Sequence, residues 1–346
     1  MTRIHATTLL VVFALIAAAC NSNEAAPDEV VLMTHSSFAV SDGVLEAFTD
    51  ETGVAVTTLE AGDAGAMVNQ AILTKDNPVA DVLYGIDNTF LSRAADEDLF
   101  VPYRATDLDL VSEELRVPGD LVTPIDVGYV CVNIDRASLD QRGIEAPQRL
   151  TELTDSAYRG MFVVEDASTS SPGLAFLLST ISSFGEDGAY PWQSYWRDLV
   201  ANDVQIVPGW EQAYYGEFSG GSGEGERPIV VSYATSPIAE VYFSDLDAAP
   251  TAIVDDGCFR QIEYAGVLRG TEVEPAARQL VDFLLETTFQ NDIPLTMFVY
   301  PVNEDAQLPA EFVDFAQYPS NPIVMDPATI DANRERWLAE WTSIVR

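Results

Sequence analysis

Four aromatic side chains crowd one short stretch, GWEQAYYGEFSGG over 209–221: Trp210, Tyr214, Tyr215 and Phe218. Aromatic faces stack on planar rings and attract cations, the latter worth roughly 0.5–2 kcal/mol. Trp210, Tyr214 and Phe218 are spaced i, i+4, i+8, a stripe that equally suits the buried face of a helix. Tyr215 points about 100° away from that stripe and stays unassigned. Two further stretches offer polar groups. TSSPGLAFLL (169–178) and TSPIAEV (235–241) both read as helix starts, with Ser171 as N-cap before Pro172 and Ser236 before Pro237. Such starts aim N–H groups and hydroxyls outward, where they can receive an anion or polar ligand oxygens, although capping alone explains each. Asp63, in LEAGDAGAMVNQ, falls between a strand and a helix. A carboxylate there can meet a cation or an amino group, or simply cap the helix.

Residues suited to catalysis are few. Beyond the leader the only histidine is His35, so any Ser-His-Asp arrangement must use it. It reads as a polar residue at a strand end. There is no G-x-S-x-G elbow, phosphate loop or dinucleotide fingerprint. With no C-x-x-C and three cysteines in all, a zinc cluster cannot be assembled. The expectation is a binding protein with no catalytic residues, no resident metal and no cofactor.

The elements that must position these residues alternate. Strands at 30–33, 54–59 and 80–85 are interleaved with helices at 43–51, 66–74 and 88–96. That alternation predicts a parallel sheet with ligand-binding loops beyond the carboxyl ends of its strands. An extended run follows at 124–135. A second α/β set then covers 161–234, with a helix opened by Ser236-Pro237. A second extended run occupies 259–268, and a helix at 274–287 resumes the earlier style. Two extended runs enclosing an α/β block predict two lobes joined by two crossings, with a cleft that closes on a ligand. The predicted division is 29–125 with 264–302 for the first lobe, 126–263 for the second, and a C-terminal segment, 303–346, ending in an amphipathic helix.

The compartment is written at the N-terminus. A polar start, the apolar run LLVVFALIAAA and then Cys20 fit a secretion signal over 1–20, too short for a span of about 20 apolar residues. The lipobox-like AAAC predicts a lipid on Cys20, followed by a polar tether, 21–28. Net charge is −38 with a single lysine, Lys75, which makes nucleic acid a poor partner. The acidity suits a solvated surface, or the steering of a cationic ligand. Cys131 and Cys258 remain as a pair. If the two extended runs are antiparallel and Asp126 faces Glu263, then Cys131 faces Cys258 within bridging distance. A slip of one residue would instead leave two free thiols.

The lipobox-like start, ADVLYGIDNTFLSRAADEDLFVPY (80–103), DASTSSPGLAFLLSTI (166–181), GWEQAYYGEF (209–218), VVSYATSP (230–237) and FQNDIPLTMFVYPV (289–302) resemble the thiamine-binding receptors of bacterial ABC importers. That resemblance implies an α/β type II periplasmic-binding-protein fold, with thiamine or its phosphates in the interlobe cleft. It also implies a monomer anchored outside the cell membrane by lipid, delivering ligand to permease subunits. Carried over by position, its ligand contacts fall on Asp63, Ala64, Ser170, Ser171, Trp210, Tyr233, Ala234, Thr235 and Ser236. The chain departs from the family at Ala239 and Phe298, where cleft aromatics are usual (a Trp at the latter), and at His35-Ser36 in place of a Tyr-Asp pair. A ferric-iron receptor of the same fold is the competing reading, prompted by Tyr214-Tyr215. Adjacent helical residues point in different directions, however.

Overall fold

The computed structural model describes residues 29–221, 223–244 and 246–346. The leader, the tether and Cys20 lie outside them, as does Ser222 of the glycine-rich loop. The first lobe begins with β1 (Glu29–Thr34), α1 (Val44–Thr52), β2 (Ala55–Glu60), α2 (Ala64–Leu73), β3 (Val82–Asp87), α3 (Leu91–Asp96) and the short β4 (Phe100–Val101). The chain then crosses on β5 (Thr123–Asp135) to α4 (Arg136–Arg142), β6 (Phe162–Glu165), α5 (Ser171–Phe184), α6 (Trp192–Ala201), β7 (Gln205–Val207), β8 (Ile229–Tyr233) and α7 (Ser236–Tyr242). It returns on β9 (Thr251–Leu268) to α8 (Glu274–Leu285), α9 (Thr287–Gln290), α10 (Ile293–Thr296) and β10 (Tyr300–Pro301), ending with α11 (Ala310–Phe315) and α12 (Pro327–Val345).

Among the described residues all ten strands belong to one sheet, with the main path β2-β1-β3-β9-β5-β8-β6-β7. The alternating segments are parallel, β1 with β2 and β3, and β6 with β7 and β8. The crossings β5 and β9 run antiparallel to each other and join the two halves. The second crossing starts at Thr251, earlier than the hydrophobic run at 259–268 suggests. Its first part carries Asp255, Asp256 and Gly257, which mask the strand's apolar pattern. The helix α12 packs on both α6 and α3. Trp341 meets Trp196 edge-on at 5.5 Å, and Arg334 lies over the Phe90 ring at 6.0 Å. The terminal helix therefore braces both lobes.

The ladder pairs Asp126 with Glu263 and Val130 with Phe259, then shifts register before Val132 and Val254. At that irregularity Cys131 and Cys258 are joined by a disulfide, with Cα atoms 4.4 Å apart. Thiol labelling in denaturant, with Cys20 blocked, is expected to find no reactive sulfhydryl before reduction and two after it.

Glu263 is also paired with Asp87 of β3, so three carboxylates lie side by side across the sheet. Like charges in that arrangement repel. Burial, aided by the charge of Glu263, pushes Asp126 far above the usual carboxylate range, and it accepts a 2.6 Å bond from the Tyr84 hydroxyl. Burial likewise raises Asp87 to about 6, against the hydrogen bonds it receives from Thr89. Its folded pKa exceeds the unfolded one, so the folded state holds the Asp87 proton more tightly. Stability from this source is present at low pH and is lost as pH rises from about 4 to about 6. Urea unfolding of wild type and Asp87→Asn should therefore show a stability difference that moves against wild type across that window.

Candidate functional site

The loops after β1, β2, β8 and the turn after β7 meet at a cleft between the lobes, as the strand-end rule requires. The cleft holds a cavity of about 490 Å³, in the range of small-molecule sites. Its wall includes Trp210, Tyr214, Tyr215, Tyr233, Phe243 and Phe298, together with His35. Among the described residues four acidic ones line it, Asp63, Glu211, Glu240 and Glu263, and no Lys or Arg does.

Trp210 is held on several sides. Its ring stacks on Tyr214 at 5.1 Å and 14°, and Tyr215 stands edge-on at 5.3 Å. Its indole Nε1–H donates to Ser232 Oγ at 2.8 Å. Ser232 in turn shares a 2.8 Å hydrogen bond with Ser236 Oγ. The segment after Trp210 is a π-helical turn, Gln212–Glu217, rather than the regular helix its spacing suggests. Such turns are frequent at functional sites. Tyr214 and Phe218 are buried, Tyr214 with an edge on the cavity, whereas Tyr215 lines the cavity and is exposed.

Asp63 holds the two lobes together. Its Oδ1 accepts from the Ala64 N–H at 2.7 Å and from the Ser171 N–H at 3.4 Å. Its Oδ2 accepts from the Trp210 N–H at 3.0 Å. The first bond caps its own helix, α2. The other two reach across the cleft to the N-terminus of α5 and to the aromatic turn. Burial raises the Asp63 pKa, against the Trp210 N–H and the nearby His35. Two glycines permit this approach. A Cβ on Gly209 would lie 2.8 Å from Asp63 Oδ2, and one on Gly65 would lie 2.7 Å from the Thr169 carbonyl oxygen. That carbonyl accepts from the Gly65 N–H at 3.0 Å, a further bond between lobes.

Both helix starts are shifted by one residue from the expected caps. Ser170 precedes α5 and Thr235 precedes α7, and neither side chain caps its helix. The first N–H of α5 is met instead by Asp63, from the other lobe. No sequence-local pattern reports a cap of that kind. Among the described residues the hydroxyls of Ser170, Ser171 and Thr235 have no hydrogen-bond partner.

The structure thus brings Asp63, Ala64, Ser171, Trp210, Tyr233, Thr235 and Ser236 to one cavity wall. Ser170 is buried and absent from the lining. Ala234 lies behind the wall, packed with Cys131 and Cys258. Sequence reasoning missed Glu211, Glu240 and Glu263, because acidic residues are too common in this chain to stand out. Glu263 sits 3.4 Å from His35 Nε2. Burial lowers the imidazole's pKa, but Glu263, Asp63 and Glu211 outweigh it and the net shift is upward. Glu240 accepts from the Tyr214 hydroxyl at 2.8 Å and from the Thr251 hydroxyl at 2.6 Å.

An Asn amide nitrogen in place of Asp63 Oδ2 would face the Trp210 N–H donor to donor. Small-angle scattering of Asp63→Asn is expected to show a more open, larger-radius particle than wild type. An unchanged radius of gyration would remove the carboxylate from lobe closure.

Over residues 77–318 the chain matches the family described as bacterial extracellular solute-binding protein. A thiamine-binding periplasmic protein of Salmonella typhimurium is 29% identical over 334 residues, covering 94% of this chain and 96% of the relative. A solved periplasmic thiamin binding protein superposes with a TM-score of 0.80 at 28% identity, over 92% of this chain and 96% of that one. Iron-bound HitA from Pseudomonas aeruginosa superposes at 0.69 with 19% identity, over 92% of this chain and 99% of that one, a likeness of fold alone. With its two lobes on crossing strands and its cavity between them, the chain belongs to the bacterial extracellular solute-binding proteins.

Proposed function

We propose that this chain is the substrate-binding receptor of an ABC importer, capturing thiamine or its phosphates in the interlobe cleft and passing it to membrane permease subunits. One observation carries the reading: an aromatic wall accompanied, among the described residues, by four acidic side chains and no Lys or Arg. Thiamine is a flat aminopyrimidine joined to a permanently cationic thiazolium. Aromatic faces suit both rings, and the carboxylates suit the charge. The relatives named thiamine-binding support the same choice.

In this reading Trp210 and Tyr233 present rings to the ligand, and the hydroxyls of Ser171, Thr235 and Ser236 serve its polar end. Ala64 shapes the adjoining wall. Ser170 and Ala234 act from behind that wall, and Asp63 acts by holding the lobes closed. The chain works by binding without catalysis and without a cofactor, as a monomer exported and anchored through a lipid on Cys20.

Ferric iron is the rival ligand. Tyr214, one of the two adjacent tyrosines, is committed to Glu240 and buried, which disfavours a paired tyrosinate site. Calorimetry with thiamine, its monophosphate and its pyrophosphate tests the proposal directly. Saturable heat with at least one is expected, and none with all three, together with a colour band on adding Fe(III), would transfer the protein to iron. In the same assay Trp210→Ala should weaken thiamine binding more than tenfold while the circular dichroism spectrum stays unchanged. Equal affinity in that variant would take Trp210 out of the contact.

A further inference from the structure

The mouth of the cleft carries two exposed aromatic side chains that stand outside the lobe cores. Tyr242 and Phe243 stand at the C-terminal end of α7, on the second lobe. Phe243 is 74% exposed and Tyr242 43% exposed. Facing them is Phe298, which precedes β10 on the first lobe. The ring of Phe243 meets it edge-on at 5.6 Å, and that of Tyr242 meets it at 6.1 Å. Phe243 and Phe298 both line the cavity.

Two physical oddities converge here. A largely exposed phenylalanine gains little from burial, and its ring contacts are Tyr242 beside it at 5.0 Å and Phe298 on the opposite lobe at 5.6 Å. Phe298 also has a φ of +55°. That conformation is unusual for a bulky side chain and persists only where the surroundings enforce it. Ala239 lies one helical turn before Phe243, on the same side of α7, and offers the cavity only a methyl group. Phe243 is thus the ring that α7 extends over a wall otherwise left low.

We propose that Phe243, supported by Tyr242, is a gate residue: it crosses the cleft mouth to Phe298, completes the aromatic enclosure above Ala239 and sets how long the ligand stays. The ligand part of this proposal rests on the thiamine reading, whereas the interlobe contact stands apart from it. Breaking the contact lowers the barrier to opening more than the barrier to entry, so the effect falls on release.

The test has two arms. In stopped-flow fluorescence with thiamine, Phe243→Ala should release ligand at least fivefold faster with the association rate within twofold, and Phe243→Tyr should restore the slow release. A double-mutant cycle of Phe243→Ala with Phe298→Ala should be non-additive in the release rate, because the two rings act as a pair. The second arm needs no ligand. Spin labels at Leu73→Cys and Val200→Cys, in a Cys20→Ser background, report the distance between lobes, and Phe243→Ala should shift that distribution toward longer distances. If wild type binds no thiamine, the thiamine reading falls and the gate is judged on the spin-label distances alone. An unchanged distance distribution would overturn the gate, as would unchanged release in a variant that still binds thiamine.

Discussion

The closed form depends on one carboxylate meeting backbone N–H groups that belong to the other lobe. Asp63 caps its own helix and, with the same two oxygens, reaches Ser171 and Trp210. Backbone donors at a helix start carry partial positive charge and have no partners within their own helix. An acidic side chain arriving from across the cleft satisfies them only when the lobes are together. The bare backbone at Gly65 and Gly209 makes that approach sterically possible. Closure is thereby coupled to the placement of Trp210, the ring at the centre of the aromatic wall.

Behind the cleft, the crossings bring Asp126, Glu263 and Asp87 into adjacent register. Three ionised carboxylates could not be buried so near one another. Burial and mutual repulsion push the Asp126 carboxyl toward its neutral form, and the donors of Thr89 at Asp87 and His35 beside Glu263 oppose them. Glu263 is the member of the row that lines the cavity. A cluster that weakens the fold as pH rises also leaves negative potential where a cationic ligand would lie.

Strand and helix alternation and the two extended runs were legible in the sequence, because each rests on local periodicity; the pairing of Asp126 with Glu263 was a choice of register that periodicity alone does not set, and the ladder holds it. With that register Cys131 comes opposite Cys258, and the bridge sits at the shift between Val130 and Val132. The aromatic segment was legible as a cluster but not as a π-helical turn, since spacing at i, i+4, i+8 suits both geometries. Tyr215 acquires a position only once that turn is in place.

By itself, then, the sequence determined the α/β class, the order of crossings and the composition of the aromatic turn, all governed by neighbours close along the chain or by regular strand pairing. Tertiary structure alone decided what Asp63 binds, which glutamates face the cavity, and that Phe243 meets Phe298. Those contacts join residues far apart in sequence, across lobes whose relative placement no local pattern encodes. For Asp63 the consequence is direct: a residue that reads as an ordinary loop cap becomes the partner of a helix 108 positions away, because only the folded sheet brings that helix start within reach.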